Sequence, residues 1–278
     1  MMETASKGPY ADLEEVARLI RKNVLDMVRS ANAGHVGGAY SAAEMFAALY
    51  FRIMNIDPSR PDWEDRDRFI LSKGHCAIGL YVCLAYRGYF DPSLLTTFDH
   101  IGSILQAHPD MTKTPGIDMS TGSLGQGLSA ALGQAAGLKL LGKTCQVYCM
   151  IGDGECQEGQ IWEAAMAAPK MKLDNLTVFL DYNRLQLAGK VDDFMPLEPL
   201  AEKWQAFGWY VLEIDGHNFD QILAAAEEAK SVKGKPTIII AHTVKGKGVS
   251  FMEHNVAWHS KVPTPEEYEV AMRELGFA

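Results

Sequence analysis

The sequence is poor in basic residues and contains no long apolar run. Lysine and arginine number 26 against 35 aspartates and glutamates, which gives a net charge of −9 and a pI of about 5.4. Such an acidic chain is a poor binder of nucleic acid or of an anionic membrane, because both carry the same sign of charge. No run approaches the roughly 20 apolar residues that span a bilayer, and the N-terminus lacks the apolar core of a secretion signal. The sequence therefore predicts no nucleic-acid partner and no membrane partner.

Cysteine is also scarce, and its spacing fits neither a disulfide framework nor a zinc site. The chain has five cysteines, an odd number, and no two of them form a CxxC pair. Two of them belong to an apolar stretch in which small buried side chains would serve equally well. Without a secretion signal, this pattern predicts reduced thiols and a cytoplasmic location. The five residues are Cys76, Cys83, Cys145, Cys149 and Cys156.

Short apolar runs alternate along the chain with segments that have the apolar spacing of amphipathic helices. This alternation over 278 residues predicts an α/β fold. We expect a single doubly wound, mostly parallel sheet with helices on both faces, which forms one domain over residues 1–278. The predicted strands are residues 68–72, 147–151, 176–180, 210–214 and 236–241. The predicted helices include residues 11–30, 42–51, 77–87, 200–207, 219–231 and 264–275.

One stretch, Cys145–Asn183, places polar side chains at the ends of two neighbouring strands. It has the pattern of an apolar strand, a turn at Gly152-Asp153-Gly154, a helix and a second apolar strand. A crossover of that length makes the two strands parallel neighbours. Because ligands of open parallel sheets bind beyond the carboxyl ends of the strands, Asp153 and Asn183 are expected side by side at a ligand site.

The chemistry of this turn suits a diphosphate bridged by a metal ion. Carboxylate and amide oxygens are good ligands for hard divalent cations such as Mg²⁺. Gly152 and Gly154 allow a ligand to approach the backbone, and the helix expected after the turn would favour an anion at its N-terminus. The alternative is a surface aspartate in an ordinary turn, with an asparagine that merely ends a strand. The strand context and the second oxygen ligand favour the ligand site.

Two further glycine-rich loops precede predicted helices. Residues 121–128 lead into an alanine-rich helix, and this loop would again suit an anion. Residues 33–38 run into a helix for which Ser41 is the expected N-cap, with Glu44 completing a capping box.

Four histidines lie in loops beside glycine or proline. Taken singly, each one could equally be an ordinary polar residue of a surface loop. A lysine-rich loop, Lys245-Gly246-Lys247-Gly248, follows the last predicted strand. The histidine motifs are Gly34-His35, Ser72-Lys73-Gly74-His75, Ala107-His108-Pro109 and Trp258-His259.

Together these motifs resemble the transketolases, a family of thiamine diphosphate enzymes. The wording GDGECQEGQIWEA, the loop GSLGQG and the loop KGKG are similar to family motifs, in the same order along the chain. The resemblance runs from about His35 to His259. It implies transfer of a two-carbon ketol unit from a ketose phosphate to an aldose phosphate, as in the pentose phosphate pathway.

The resemblance also implies the cofactors and the residues that hold them. The cofactors would be thiamine diphosphate and Mg²⁺, with Ca²⁺ or Mn²⁺ as substitutes. Asp153, the side chain of Asn183 and the carbonyl of Leu185 would bind the metal ion. Lys245 stands where some transketolases use a lysine on the diphosphate. The cofactor-binding residues implied in this way are His75, Gly122, Ser123, Leu124, Gly154, Asn183, Lys245 and His259.

Catalytic roles are implied for His35, His108 and His259, which would contact substrate hydroxyls and shuttle protons. Ketol transfer repeatedly adds and removes protons on hydroxyls, and imidazole does this near neutral pH. Glu158 stands where the family has a subunit interface, near the glutamate that activates the cofactor, and it counts as a catalytic candidate. Alternatively, Glu158 only complements the dipole of the helix that follows.

The chain departs from the family pattern at three positions and is much shorter than a full-length transketolase. Val36 and Ser123 replace prolines of many full-length members, and Ser260 replaces a glycine. Full-length members continue into a pyrimidine-binding domain and a further C-terminal domain. The resemblance therefore implies one subunit of a split transketolase, inactive alone, which pairs with a C-terminal subunit in an α2β2 assembly.

Two other functions stay open at this point. One is a half of another thiamine diphosphate enzyme, such as a deoxyxylulose-phosphate synthase-like or dehydrogenase E1-like component. The other is a non-catalytic relative that kept the cofactor-binding fold. The SKGH loop and the GDGECQEG wording favour transketolase over the first, and the intact metal ligands and histidines argue against the second.

Overall fold

Five parallel strands form the centre of the fold, as the alternation of apolar runs predicts. The computed structural model describes residues 10–277. The strands are β1 (Arg68–Leu71), β2 (Val147–Gly152), β3 (Leu176–Tyr182), β4 (Tyr210–Asp215) and β5 (Thr237–His242). Their order in the sheet is β1-β2-β3-β5-β4, and every neighbouring pair is parallel. The prediction of a parallel α/β sheet is confirmed.

Ten α-helices in the described part of the chain cover both faces of this sheet. They are α1 (Ala11–Ala31), α2 (Gly37–Ser41), α3 (Ala43–Ala48), α4 (Ala77–Arg87), α5 (Gln126–Leu140), α6 (Gly159–Lys170), α7 (Val191–Phe194), α8 (Leu200–Ala206), α9 (Phe219–Ser231) and α10 (Pro265–Glu274). Helices α1, α3, α4 and α9 pack on one face, and α5, α6 and α8 pack on the other.

The two faces have separate apolar cores, and alternate residues of each strand belong to different ones. In β2, Tyr148 and Met150 belong to the core with α1 and α4, whereas Cys149 and Ile151 belong to the core with α5 and α6. All seven residues of β3 are buried, as expected for a central strand of a parallel sheet. This burial explains why β3 appears in the sequence as a continuous apolar run.

The predicted capping box at Ser41 and Glu44 is wrong. Ser41 is the last residue of α2, and α3 begins at Ala43. The Ser41 hydroxyl donates to Asp181 at 2.6 Å, and Glu44 pairs with Arg21 at 2.7 Å. Both side chains are buried, so tertiary partners replace the local backbone donors that a capping box would use.

Other local features agree better with the sequence. Gly88 ends α4 with φ 94°, in the left-handed region expected of a glycine at a helix end. The five cysteines are buried free thiols. Within residues 10–277, no helix is both long enough and apolar enough to cross a bilayer.

Candidate active site

A cleft of about 410 Å³ opens at the carboxyl edge of the sheet. Its walls are the loops that follow β1, β2, β3 and β5, together with the histidine loop before α2 and the glycine loop before α5. Loops that are far apart in the sequence meet here because all the parallel strands end at this edge. The predicted site residues that line the cleft are His35, His75, Gly122, Leu124, Asp153, Gly154, Glu158, Asn183, Leu185, Lys245 and His259.

The three residues predicted to bind a metal ion lie after β2 and β3. The Asp153 carboxylate accepts the N–H groups of Gly154, at 2.7 Å, and of Arg184. Asn183 Oδ1 accepts the N–H of Leu185 at 3.0 Å. In the described residues, no group of three or more His, Cys, Asp or Glu side chains is arranged to hold a metal ion. A cation here would therefore rely on one carboxylate with amide and carbonyl oxygens.

The environment of Asp153 favours a nearby positive charge. Burial and the negative charge of Asp181 together raise the pKa of Asp153 to about 7, against the lowering effect of two backbone N–H donors. A buried carboxylate of this kind is stabilised in its charged form by a cation in contact with it. The donor set and its electrostatics therefore fit a hard divalent cation.

The four predicted histidines lie together in space. The ring centroids of His75 and His259 are each 5.3 Å from that of His35, and the ring of His108 is at 6.3 Å. Burial, reinforced by neighbouring imidazoles and lysines, lowers the pKa of His35 and His75 to about 4 and that of His259 to about 3. These three imidazoles are therefore neutral at pH 7, and each has one protonated and one unprotonated ring nitrogen.

Lys245 lies buried between the oxygen ligands and the histidines. Its Nζ donates to the carbonyl oxygen of Leu185 at 3.0 Å and lies 2.9 Å from Nδ1 of His259. Because an ammonium group can only donate, Nδ1 of His259 is the acceptor, and the ring proton of neutral His259 is on Nε2. Burial lowers the pKa of Lys245, and the charge of Asp153 opposes that effect.

Two predicted site residues, His108 and Ser123, are not among those that line the cleft. His108 is exposed at the rim of the cleft, where it contacts Gly122 and faces His35. Ser123 is exposed and does not line the cleft, whereas its neighbours Gly122 and Leu124 do.

The turn at Gly154 is not followed directly by a long helix, which corrects the expected helix N-terminus there. A single 3-10 turn, Gly154–Gln157, comes first, and α6 begins only at Gly159. The first N–H of this turn is bound by the Asp153 side chain. The backbone at Gly154 thus belongs to a tight turn around the Asp153 carboxylate.

The glycine loop before α5 binds a carboxylate of the protein itself. Glu155 accepts the N–H of Gly125 at 2.9 Å and that of Gly152 at 3.0 Å, and it also accepts the Ser72 hydroxyl. Burial raises the pKa of Glu155. The loop of residues 121–128 therefore binds an anion as predicted, but that anion is Glu155. Its carboxylate links this loop to Ser72 and Gly152.

A buried polar cluster around Asp181 was missed by the sequence reasoning. Asp181 is fully buried and accepts hydrogen bonds from Ser41, Thr243 and Lys73. Burial disfavours the charged form of Lys73, but the negative charge of Asp181 holds the pKa of Lys73 above its usual value. Asn183 Nδ2 also donates to Asp181 at 3.2 Å, which turns Oδ1 of the amide away from that carboxylate. The available signal was a charged residue within an otherwise apolar strand.

Comparison with known proteins assigns this architecture to a family. Residues 13–278 match the family described as transketolase, thiamine diphosphate binding domain. The chain belongs to the transketolase family. The cleft at its sheet edge is thus found in the family domain that binds thiamine diphosphate.

Some transketolase relatives have nearly the length of this chain. It is 50% identical over 264 residues to the 6-deoxy-6-sulfo-D-fructose transketolase subunit of Clostridium sp. strain MSTE9, covering 95% of this chain and 96% of the relative. It is 44% identical to an apulose-4-phosphate transketolase subunit from Phocaeicola vulgatus, covering 92% and 90%. By contrast, the match to human transketolase, at 38% identity, covers 91% of this chain but 40% of the human protein.

Solved transketolase structures share the fold. The transketolase from Leishmania mexicana matches with a TM-score of 0.91 and 31% identity, over 95% of this chain and 41% of the solved one. The transketolase from Campylobacter jejuni matches with a TM-score of 0.89 and 34% identity, over 95% and 43%. The chain therefore spans about two fifths of the length of these solved transketolases.

Proposed function

We propose that this chain takes part in a thiamine diphosphate- and Mg²⁺-dependent transfer of a two-carbon ketol unit from a ketose phosphate to an aldose phosphate. The observation that carries the proposal is the cleft, which is lined by carboxylate, amide and carbonyl oxygens, a buried lysine and three neutral histidines. Membership of the transketolase family supports the same reaction type.

The residues of the cleft suit the cofactor and its metal ion. Asp153, Asn183 and the carbonyl of Leu185 would hold Mg²⁺, and Ca²⁺ or Mn²⁺ could replace it because both accept oxygen ligands. Lys245 would place a positive charge beside the diphosphate. When bound, thiamine diphosphate supplies the stabilisation of negative charge on the transferred carbon. The residues of the cleft that would contact the cofactor are His75, Gly122, Leu124, Gly154, Asn183, Lys245 and His259. A cofactor contact of Ser123, which does not line the cleft, stays a prediction from the sequence.

The histidines of this chain would form hydrogen bonds with the sugar hydroxyls and transfer protons to and from them. His35 is neutral at pH 7 because its pKa is lowered, so its unprotonated ring nitrogen can accept a hydrogen bond from a sugar hydroxyl. The contact with Lys245 leaves Nε2 of His259 as a hydrogen-bond donor. His108, at the rim, would contact the more distant hydroxyls of the substrate. Glu158 lines the outer part of the cleft and would act at a subunit interface.

A second polypeptide is part of the proposal. Relatives of similar length are named as transketolase subunits, which supports a split enzyme. The partner would be a C-terminal transketolase subunit that carries the pyrimidine-binding domain, and we propose an α2β2 assembly that is inactive without it. A single domain over residues 1–278 and a cytoplasmic location both stay predictions from the sequence.

The donor sugar has a second candidate class. The relative with 50% identity is named for 6-deoxy-6-sulfo-D-fructose, whose terminal anion is a sulfonate, and other relatives are named for apulose-4-phosphate. A sulfonated ketose is therefore an alternative donor to a ketose phosphate for this chain.

Cofactor binding is tested by calorimetric titration of the chain with thiamine diphosphate, with and without Mg²⁺. We expect Mg²⁺-dependent binding that Asp153→Asn weakens by about tenfold or more, as typically happens when a metal site loses a supporting group. The control is Asp62→Asn, which removes an exposed carboxylate from the loop before β1. Equal affinity in Asp153→Asn and the control would contradict the metal assignment.

A further inference from the structure

A hydrogen-bonded chain of three side chains lies behind the Lys245 loop, outside the cleft. Arg21 of α1 pairs with Glu44 of α3 at 2.7 Å, and both side chains are buried. Glu44 Oε2 lies 2.9 Å from Nδ1 of His217, in the turn between β4 and α9. The other ring nitrogen, Nε2, accepts the backbone N–H of Val244 at 2.9 Å. The chain of contacts therefore ends on the residue that precedes Lys245.

These contacts determine the tautomer of His217. A backbone N–H can only donate, so Nε2 of His217 carries no proton. The ring proton of the neutral imidazole is then on Nδ1, where it donates to Glu44. The pairing of Glu44 with Arg21 keeps this carboxylate charged and in place, since the charge of Arg21 helps to hold the pKa of Glu44 below its usual value against the effect of burial.

The turn that holds His217 is pressed against the loop that follows β5. A Cβ atom at Gly216 would lie 2.5 Å from Cγ2 of Thr243 and 3.1 Å from Cβ of Ala241, so only glycine allows this approach. The N–H of Gly216 also donates to the carbonyl of His242 at 2.9 Å. The backbone directly before His217 is therefore held close to the loop that contains Val244.

The Lys245 loop has anchors on either side of Val244, but His217 holds Val244 itself. Thr243 is bound through its hydroxyl to Asp181, and the N–H of Gly246 donates to Gly37 at 3.1 Å. Between them, the backbone turns so that the buried Lys245 side chain reaches Leu185 and His259. Loss of the His217 contact would leave the Val244 N–H without its acceptor in a partly buried position.

We propose that His217 is a positioning residue of the active site. As a neutral imidazole with its proton on Nδ1, it holds the backbone at Val244 and thereby aims Lys245 at the cleft. The functional part of this inference rests on the proposed function, in which Lys245 contacts the diphosphate.

The test compares His217→Ala with His217→Gln in the full chain, with His100→Ala as a control at an exposed histidine. Glutamine can present Oε1 to the Val244 N–H, whereas alanine cannot. In calorimetric titrations with thiamine diphosphate and Mg²⁺, we expect alanine to weaken binding by about tenfold, the value of one buried hydrogen bond. Glutamine should restore the affinity to within about threefold of the original chain.

A double mutant shows whether His217 acts through Lys245. If it does, His217→Ala should cost little further affinity in a Lys245→Ala background, because residues that act as one unit are not additive. Full additivity of the two losses, or equal losses in the alanine and glutamine variants, would overturn the proposal.

A measurement without cofactor separates this inference from the proposed function. Nitrogen-15 spectra of the His217 ring should show a protonated Nδ1 and an unprotonated Nε2, and hydrogen exchange at the Val244 amide should accelerate in His217→Ala but not in His100→Ala. If the chain binds no thiamine diphosphate and these results still hold, the proposed function fails and the positioning of the loop stands. Unchanged exchange at Val244 would overturn the positioning role itself.

Discussion

Asp181 is a fully buried carboxylate that borders the cleft and accepts hydrogen bonds from Ser41 and Lys73. Asp181→Asn would keep the shape but leave the buried ammonium of Lys73 without its counter-charge. We expect a loss of roughly 3 kcal/mol or more in the free energy of unfolding, the usual result of breaking a buried ion pair. Glu227→Gln, which removes an exposed pair with Lys230, should cost less than about 1 kcal/mol. Urea denaturation of both variants checks this, and similar small losses would show that Asp181 is not a structural centre.

His259 should make the protein less stable in acid. Its pKa is lowered to about 3 by burial and by the charge of Lys245, against about 6.5 in the unfolded chain. Between those two values the unfolded state binds more protons, so the free energy of unfolding falls as the pH falls from 6.5 towards 3.

The variant His259→Asn isolates this effect, because Asp153, whose raised pKa acts in the opposite direction, is common to both proteins. Between pH 7 and pH 5, the original chain should lose about 1 kcal/mol more stability than His259→Asn, allowing for the partial exposure of the ring. Chemical denaturation at the two pH values gives the difference. An identical loss in both proteins would show that His259 is not held neutral by the fold.

Only part of the candidate site could be predicted from the sequence. A residue was predictable where a local sequence pattern identifies its position in the fold. Asp153 and Asn183 follow recognisable strands, so the parallel sheet alone places them together. The histidines follow no such strand pattern, and their prediction depended on the resemblance of their motifs to those of the family. Asp181 contacts Ser41, 140 residues away, and His217 contacts Glu44, 173 residues away. Neither contact has a local periodicity or motif, so single-sequence reasoning had no means of pairing them.

Most helices and strands were predictable because apolar spacing decides where they lie. The five predicted strands agree with the structure to within two residues at their ends, and helix 219–231 agrees fully. The errors are at helix starts, where a polar side chain can bind either the local backbone or a distant partner. Ser41 and Glu44 bind buried partners instead, and the turn at Gly154 closes on Asp153 before α6 begins.

The contact between α5 and β1 depends on a glycine. A Cβ atom at Gly127 would lie 2.6 Å from the backbone Cα of Ser72, which leads into the SKGH loop. Gly127→Ala should therefore lower the free energy of unfolding by roughly 1–3 kcal/mol, the usual cost of overpacking.

A second glycine of the same helix provides the matched control. Gly133 is exposed in α5, and a Cβ there would meet nothing within 4 Å. Gly133→Ala should raise the free energy of unfolding by about 0.5–1 kcal/mol, since alanine is the better helix former. Thermal or urea denaturation should show that Gly127→Ala lowers and Gly133→Ala raises the free energy of unfolding. A destabilising Gly133→Ala would contradict the packing described for this helix.

The molecule as a whole has the length of relatives named as transketolase subunits and about two fifths of the length of human transketolase. Helix α6, which follows Glu158, carries the exposed Met166, and the loop after β3 carries the exposed Leu187 beside the cleft. Of these two side chains, Leu187 lines the cleft. Both are candidate contacts for the partner subunit of the proposed function.

The proposed two-chain transketolase is tested by an assay of ketol transfer. The purified chain is mixed with Mg²⁺, thiamine diphosphate, an aldose phosphate acceptor and either a ketose phosphate or a sulfonated ketose donor, with and without the chain that carries the pyrimidine-binding domain. We predict product only when both chains are present, and loss of that product with Asp153→Asn. Robust transfer by this chain alone would contradict the split enzyme, and no transfer by the pair from either donor would contradict the ketol-transfer function.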